Sequence, residues 1–303
     1  MATMTKPERD RPARAAAPWT ETSAFTRGRR RLVASAARHA VLLACSALFV
    51  LPFVWMLATS LKTNQQVVAI PPEWVPNPFS WRNYPDALDA VPFVRYAGNT
   101  AFISLVTIVG SVLSNATVAY GFACLTWRGR DALFVVVLAS LMLPFQVTVI
   151  PLFIVFARLG WTNTYLPLTV PSFFANAFFI FLLRQFFRRI PRDYADAARI
   201  EGANELQILW QIMVPLARPA LITVALFQFL YSWNDFLGPL IYLNDESLFT
   251  LSLGLANMQS NFGLSQFGQI MAASTMIVLP AIIAFTVAQR YFISGISGTG
   301  IKG

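Results

Sequence analysis

The chain has 303 residues, of which 56% are hydrophobic and 12% charged, and its mean hydropathy is +0.56. Soluble domains carry about 25% charged residues, so the composition excludes a water-soluble globular protein and points to one built for lipid. The net charge of +9 does not indicate nucleic-acid binding, because the basic residues gather at the ends of apolar runs and form no groove interleaved with aromatic side chains.

Residues 1–38, rich in Ala, Arg, Pro and Thr, read as a disordered tail. Six apolar stretches follow, each close to the roughly 20 residues a helix needs to cross a bilayer: Ala40–Leu61, Ala101–Thr126, Ala132–Ala157, Tyr165–Leu183, Ala220–Leu243 and Ile270–Gln289. The chain therefore divides into a first span over 39–62, a polar segment over 63–98, a core of five spans over 99–291 and a short tail over 292–303. Pro52, Pro144, Pro151, Pro167, Pro171, Pro239 and Pro280 interrupt these stretches. Lipid tolerates such breaks where neighbouring helices or a wet cavity satisfy the freed backbone groups, which indicates a packed multi-pass bundle in the cell membrane.

Cys45 and Cys124 fall inside spans, where cysteine serves as a small apolar filler, and they imply neither a disulfide nor a metal framework. The one histidine, His39, stands at a span boundary, so a zinc-protease helix motif and any Ser-His or Cys-His dyad that avoids His39 are excluded. The terminal "GISGTGIKG" imitates a phosphate loop, but no helix follows on which a phosphate would sit.

Orientation follows from Lys and Arg, which gather on the cytoplasmic side of short connections. The N-terminal tail, the second-to-third and fourth-to-fifth connections and the C-terminus hold 19 of the 23, leaving four on the opposite side. Both termini and residues 184–219 are thus expected in the cytoplasm, with 63–98 outside.

Within that cytoplasmic stretch, "DAARIEGANELQILWQIMVP" (196–215) combines charge, small residues and an amphipathic pattern. Asp193 is expected to cap a helix, with Asp196 three residues on. Ala195, Ala197 and Ala198 make one side nearly smooth. Gly202 permits a sharp change of direction. Leu206, Leu209, Ile212 and Met213 recur at helical spacing and fasten a second short helix under the membrane. Pro215 ends it, and Pro219 opens the fifth span. This describes a two-part lever whose small residues let another protein approach closely.

The pattern D-A-A-x3-G-x9-I-x-V-P, carried by Asp196, Ala197, Ala198, Gly202, Ile212 and Pro215, resembles the coupling-loop signature of ABC importer permeases. That signature normally has Glu for Asp196 and Leu for Val214. "LPFVWMLATSLK" (51–62), "MLPFQVTVIPLF" (142–153), "WNDFLGPLIYL" (233–243) and the final "GTGIKG" extend the likeness to the smaller permease subunit of maltose-type carbohydrate importers. The resemblance covers about residues 40–303 and implies an all-α integral membrane protein. It would have six transmembrane helices, the type I ABC importer permease fold and both termini cytoplasmic.

The resemblance further implies a transport subunit rather than an enzyme. It would form half of the pathway for a sugar, oligosaccharide or related polyol such as a glycerol phosphate. Its partners would be a second homologous permease, a dimer of cytoplasmic ATPase subunits and an extracytoplasmic sugar-binding protein, all around the carbohydrate and membrane lipid. ATP and Mg would reside in the ATPase, with no cofactor in this chain. Residues 63–98 are long enough to meet the binding protein, and 244–268 carry no basic residue and are able to reach into a sugar cleft. A permease of another ABC importer class is one alternative. A secondary transporter acting alone is another, but it would spread ionisable residues over several spans, whereas this chain has essentially Asp235. An Asp in a span costs roughly 2.5–3.5 kcal/mol on insertion scales and so needs protein or water around it. Tyr231, Trp233, Asn234 and Asp235 are the residue types that hold sugars. They are read as pore-lining or substrate-lining candidates, with a structural role for Asp235, accepting from the broken backbone near Pro239, as the competing reading.

Overall fold

A computed structural model describes residues 22–297, with side chains from 34 to 291 apart from Phe262 and Leu264. Among the described residues every regular element is helical. The described residues fall into two compact units that divide between Val54 and Trp55.

The described part of the first unit belongs to α1 (Thr22–Ser60), which continues into the second. Its Ala34–Ser60 portion has a mean hydropathy of 2.4, and Leu43, Phe49 and Val50 are exposed along it. Residues 22–38, expected within a disordered tail, are helical instead. The Arg residues that lower hydrophobicity there are, like Ala, strong helix formers. Residues 1–21 and the terminal "GTGIKG" lie outside the described residues.

In the second unit, short helices α2 (Asn64–Val67) and α3 (Asn83–Ala90) precede α4 (Phe93–Ala123). Next come α5 (Arg130–Ala139), α6 (Phe145–Arg158), α7 (Leu166–Thr169) and α8 (Ala177–Phe187). The connecting stretch holds α9 (Asp193–Ile200), α10 (Glu205–Gln207) and α11 (Val214–Leu216). The chain closes with α12 (Arg218–Trp233), α13 (Leu237–Tyr242), α14 (Leu251–Phe262) and α15 (Phe267–Ser297). Helix α15 thus runs six residues into the expected C-terminal tail.

Helix α4 is central, with α8 and α12 packed on it and α15 packed on α12. Its buried face carries Thr100, Ser104, Thr107, Gly110, Ser111, Asn115, Ala116 and Ala119. Helices in lipid associate through such small residues, which let backbones approach closely. A Cβ on Gly110 would come 2.6 Å from the Ser172 hydroxyl and 2.7 Å from the Phe173 ring. Larger side chains close the core at one end, where Tyr120, Phe122, Phe179, Leu183, Phe187, Leu209, Met213 and Val224 cluster.

Four stretches, Ala34–Ser60, Phe93–Ala123, Leu166–Phe187 and Phe267–Tyr291, are long and apolar enough to cross a membrane, and two bent pairs raise the number to six if each is one span. The breaks correct three expected spans. The third is two helices, α5 with its 3-10 extension and α6, meeting at 97°. Leu143 is extended ahead of Pro144, which disfavours helix in the residue before it. The fourth is α7, a 3-10 turn over Val170–Phe174 and α8, with Ala175 at φ +61° between. The fifth stops at Trp233 and restarts at Leu237.

Side chains close these breaks. Asn115, fully buried, accepts from the Asn176 amide at 2.7 Å and donates to the Ser111 carbonyl at 2.7 Å. Asn176 in turn caps α8 by accepting from Phe178 N at 2.9 Å. Replacing Asn115 by Leu keeps the branched shape but orphans a backbone N–H, a loss of about 1–3 kcal/mol. We expect Asn115→Leu to lower the melting temperature of the purified complex in detergent by several degrees, whereas Thr117→Val, at an exposed site on the same helix, leaves it unchanged.

Candidate functional site

Two features stand out, a lever at one end of the core and a cavity along the broken spans. The lever begins with α9. Arg192 precedes it and makes no side-chain cap, so Asp193 is the first helical residue rather than the expected cap. Asp193 and Asp196 still lie in the first turn, where the helix dipole favours negative charge. Ala195 and Ala198 turn inward to the cluster that holds Phe187, Leu209 and Met213. The outward face is instead Tyr194, Asp196, Ala197 and Ile200, the last 89% exposed. Two of the three expected contact alanines are therefore packing residues.

Gly202 ends α9 at φ +89°. The Ala203 amide donates to the Ala198 carbonyl at 2.9 Å and the Gly202 amide to the Arg199 carbonyl at 3.1 Å. This is the double closure of a Schellman turn, which favours glycine because a Cβ strains the left-handed backbone. A Cβ at Gly202 would meet nothing within 4 Å, so the constraint is conformational. Asn204 and Gln207 then cap each other, the two bonds spanning 2.9 and 2.8 Å.

From Ile208 to Met213 the helix widens into a π turn, in which Val214 N donates to the Leu209 carbonyl. The widening changes which residues face inward. Ile208, Leu209 and Met213 are buried, Ile212 is half-buried, and Leu206 is 64% exposed. The expected seam through Leu206 and Ile212 is thus shifted, since it assumed a regular 3.6-residue period. Pro215 lies exposed in α11, and the segment from Glu205 meets α12 at 83°.

A polar bracket ties the lever together. Arg199 donates to Glu205 from Nε at 2.8 Å and from Nη2 at 3.2 Å, and to Asp196 from Nη1 at 2.6 Å. The hydroxyl of Tyr120, from the core helix α4, donates to the same Glu205. Bonding to the Glu205 carboxylate holds the Arg199 guanidinium above its ordinary pKa. Arg199, Glu205 and Tyr120 were not singled out from the sequence. The 199–205 pair is six residues apart across a glycine turn, and Tyr120 is 85 positions away, so no periodicity connects them. Beside the bracket a cavity of about 640 Å³ is lined by Arg188, Arg192, Asp196, Arg199 and Glu205 among others.

The second cavity, about 530 Å³, is lined by Ser111, Asn176, Gln228, Tyr231, Asp235 and Tyr242 together with aromatic and aliphatic side chains. Asp235 spans the break between α12 and α13, its Oδ1 accepting from Gly238 N at 3.1 Å. A Cβ on Gly238 would lie 2.5 Å from Asp235 Oδ2 and 2.9 Å from Leu168, so glycine there gives the carboxylate its place. Tyr231 joins Asp235 in the lining and is 65% exposed. Trp233 and Asn234 do not line the cavity. The Trp233 indole is buried and donates to the Ile277 carbonyl at 3.0 Å, bracing α12 against α15. The Asn234 amide donates back to Leu230 at 2.7 Å. Among the described residues no cluster of three His, Cys, Asp or Glu is placed to hold a metal ion.

The family model described as binding-protein-dependent transport system inner membrane component matches residues 118–298, which include the lever and the Asp235 break. An arabinooligosaccharides transport system permease protein of Halalkalibacterium halodurans is 39% identical over 206 residues, 68% of this chain and 73% of that protein. A diacetylchitobiose uptake system permease protein of Streptomyces coelicolor is 32% identical over 266 residues, 87% of each chain. An sn-glycerol-3-phosphate transport system permease protein of Yersinia enterocolitica is 30% identical over 266 residues, 85% of this chain and 94% of that one. Among solved structures, a bacterial ABC transporter involved in the import of the acidic polysaccharide alginate superposes with a TM-score of 0.76 at 25% identity. That match covers 87% of this chain and 98% of the other. The chain belongs to the family of inner-membrane components of binding-protein-dependent transport systems, as a multi-pass permease subunit of an ABC importer and a transport component rather than an enzyme.

Proposed function

We propose that the chain forms half of the translocation pathway for a sugar, oligosaccharide or related polyol, beside a second homologous permease. Two cytoplasmic ATPase subunits hold ATP and Mg and receive the lever, and an extracytoplasmic sugar-binding protein delivers the solute. This chain itself holds no cofactor. Both termini and the lever lie in the cytoplasm, in keeping with the distribution of Lys and Arg. Relatives named for arabinooligosaccharides and diacetylchitobiose support the carbohydrate class. The observation that carries the coupling role is the Tyr120–Glu205–Arg199–Asp196 chain of hydrogen bonds, which joins the exposed lever directly to the central helix.

In this reading ATP-driven closure of the ATPase dimer pushes on the outward face of α9. The Schellman turn and the bracket keep α9 and α10 from folding independently, so the push reaches α4 and the broken spans around the cavity that Tyr231 and Asp235 line. Tyr231 and Asp235 face the solute, while Trp233 and Asn234 hold the break in shape. Purification of the chain from membranes with its partners tests the assembly, since a carrier acting alone would transport without an ATPase.

The lever is tested at its outward face. Ala197→Arg and Gly202→Trp should leave the spans inserted and reduce ATP-driven uptake at least tenfold, through weaker docking or lost coupling. Ala198→Arg is less informative, because Ala198 is buried and the variant loses the lever's own packing. Glu205→Gln should retain the ATPase subunits yet lower uptake per ATP about fivefold. That equals about 1 kcal/mol, the worth of a charged hydrogen bond discounted for the part-exposed Arg–Glu pair. Wild-type uptake in Ala197→Arg would remove α9 from the ATPase interface.

Asp235 is tested by separating cap from charge. Asp235→Ala loses the acceptor at Gly238 and should lose about 1 kcal/mol of stability, the usual cost of a missing helix cap. Asp235→Asn keeps an acceptor and should assemble and melt normally while taking up solute severalfold more slowly. Unchanged uptake in Asp235→Asn would leave Asp235 with the capping role alone.

A further inference from the structure

Residues 61–83 leave the end of α1 and are stitched straight back onto it. Ser80 N donates to the Leu61 carbonyl at 2.8 Å. The Asn83 amide donates to the carbonyls of Ser60 and Lys62 at 2.9 and 2.8 Å. The Ser60 and Tyr84 hydroxyls hydrogen-bond at 2.9 Å. Helix α15 presses on the same knot, since a Cβ on Gly268 would come 2.6 Å from Asn83 Nδ2 and 3.0 Å from the Lys62 carbonyl. The loop is therefore held at a defined height against the helix end.

Trp74 shows what that height is. Its ring packs edge-on against Trp55, centroid to centroid 4.9 Å, and the Lys62 ammonium sits 3.8 Å from the Trp55 ring centre. Trp55 lies five residues before the end of α1 at Ser60, which at 1.5 Å per residue is about 8 Å inside the helix end. Trp55 falls inside the apolar stretch Ala34–Ser60, so a side chain that reaches it lies level with that stretch and not beyond its end. Around Trp74, Ile70 is 94%, Val75 73%, Trp81 67%, Val68 59% and Phe79 52% exposed. Between Lys62 and Arg82 the loop carries one ionisable residue, Glu73. Leaving such side chains in water forgoes about 1.5–3 kcal/mol each relative to burial.

We propose that residues 68–81 are a membrane anchor, lying in the boundary between lipid headgroups and acyl chains, with Trp74 and Trp81 at the level where tryptophan concentrates. The occupant of this apolar face is lipid. A water-soluble binding protein arriving from the aqueous side does not reach a ring at the depth of Trp55, and the near-absence of charge offers it no complementary partner. The loop then fixes the height of the end of α1, and through Asn83 and Gly268 that of α15. The inference requires that α1 crosses the membrane and does not depend on which solute is carried.

The test uses the assembled transporter in vesicles of phosphatidylethanolamine and phosphatidylglycerol. Cys45 and Cys124 are replaced by alanine, and a nitroxide is attached to Val75→Cys or Phe79→Cys, both exposed positions whose labelling spares the core. The expected result is collision with dissolved oxygen severalfold above collision with a water-soluble nickel chelate, with the opposite ratio at Asn244→Cys, an exposed polar site. Water-type accessibility at 75 and 79 would leave the loop free for a soluble partner and overturn the anchor. Shielding from both reagents would put protein over it and overturn it equally.

Discussion

A backbone inside lipid has no water to satisfy its N–H and C=O groups, yet this chain interrupts its spans near Pro144, Ala175 and Asp235. The described core is arranged around meeting that demand. Asn115 on the central helix accepts from the amide that opens α8, the Ser114 hydroxyl donates to the Ser172 carbonyl at 3.0 Å, and Asp235 accepts from Gly238. Asn115 and Ser114 on α4, and Asp235 in the break itself, each bond a backbone group that an interrupted span leaves free.

The breaks also make the functional geometry. Unbroken helices packed through small residues would leave little space between them. Interrupting them at Ser172–Asn176 and at Asp235–Gly238 opens a cavity whose polar lining includes two residues that also cap the broken backbone, Asn176 and Asp235. The lever follows the same logic at the end of the bundle. Its Schellman turn and mutual Asn204–Gln207 cap leave few backbone groups unpaired in a segment that is neither span nor free loop. The Tyr120–Glu205 bond then gives it a direct connection to α4. Cavity and lever thus share one scaffold helix, which offers a physical route from one to the other.

Much of this was legible in the residues themselves. Apolar run lengths identified the spans, and Pro144 marked one interruption, whereas Pro52, Pro151 and Pro280 lie inside continuous helices. Gly202 announced a change of direction because a left-handed backbone at a helix end favours glycine. The coupling pattern around Asp196 and Pro215 led to the family. These are local properties, decided by a residue and its near neighbours along the chain.

What the tertiary structure decided depends on residues far apart in sequence or on departures from ideal periods. The π turn after Ile208 rotated the lever's buried seam, which a regular helical spacing misplaced. Packing against Phe187 and Met213 sent Ala195 and Ala198 inward and left Ala197 outside, a choice that three similar alanines do not express. Trp233, Asn234 and Asp235 are consecutive and equally suited to sugar, but the break turned one to the core, one to its own helix and one to the cavity. The partnerships of Tyr120 with Glu205, Asn115 with Asn176 and Trp55 with Trp74 exist because folding brings their helices to the same height. Sequence determined the lengths of the apolar runs and the break at Pro144; three-dimensional packing determined the other breaks and which groups meet there.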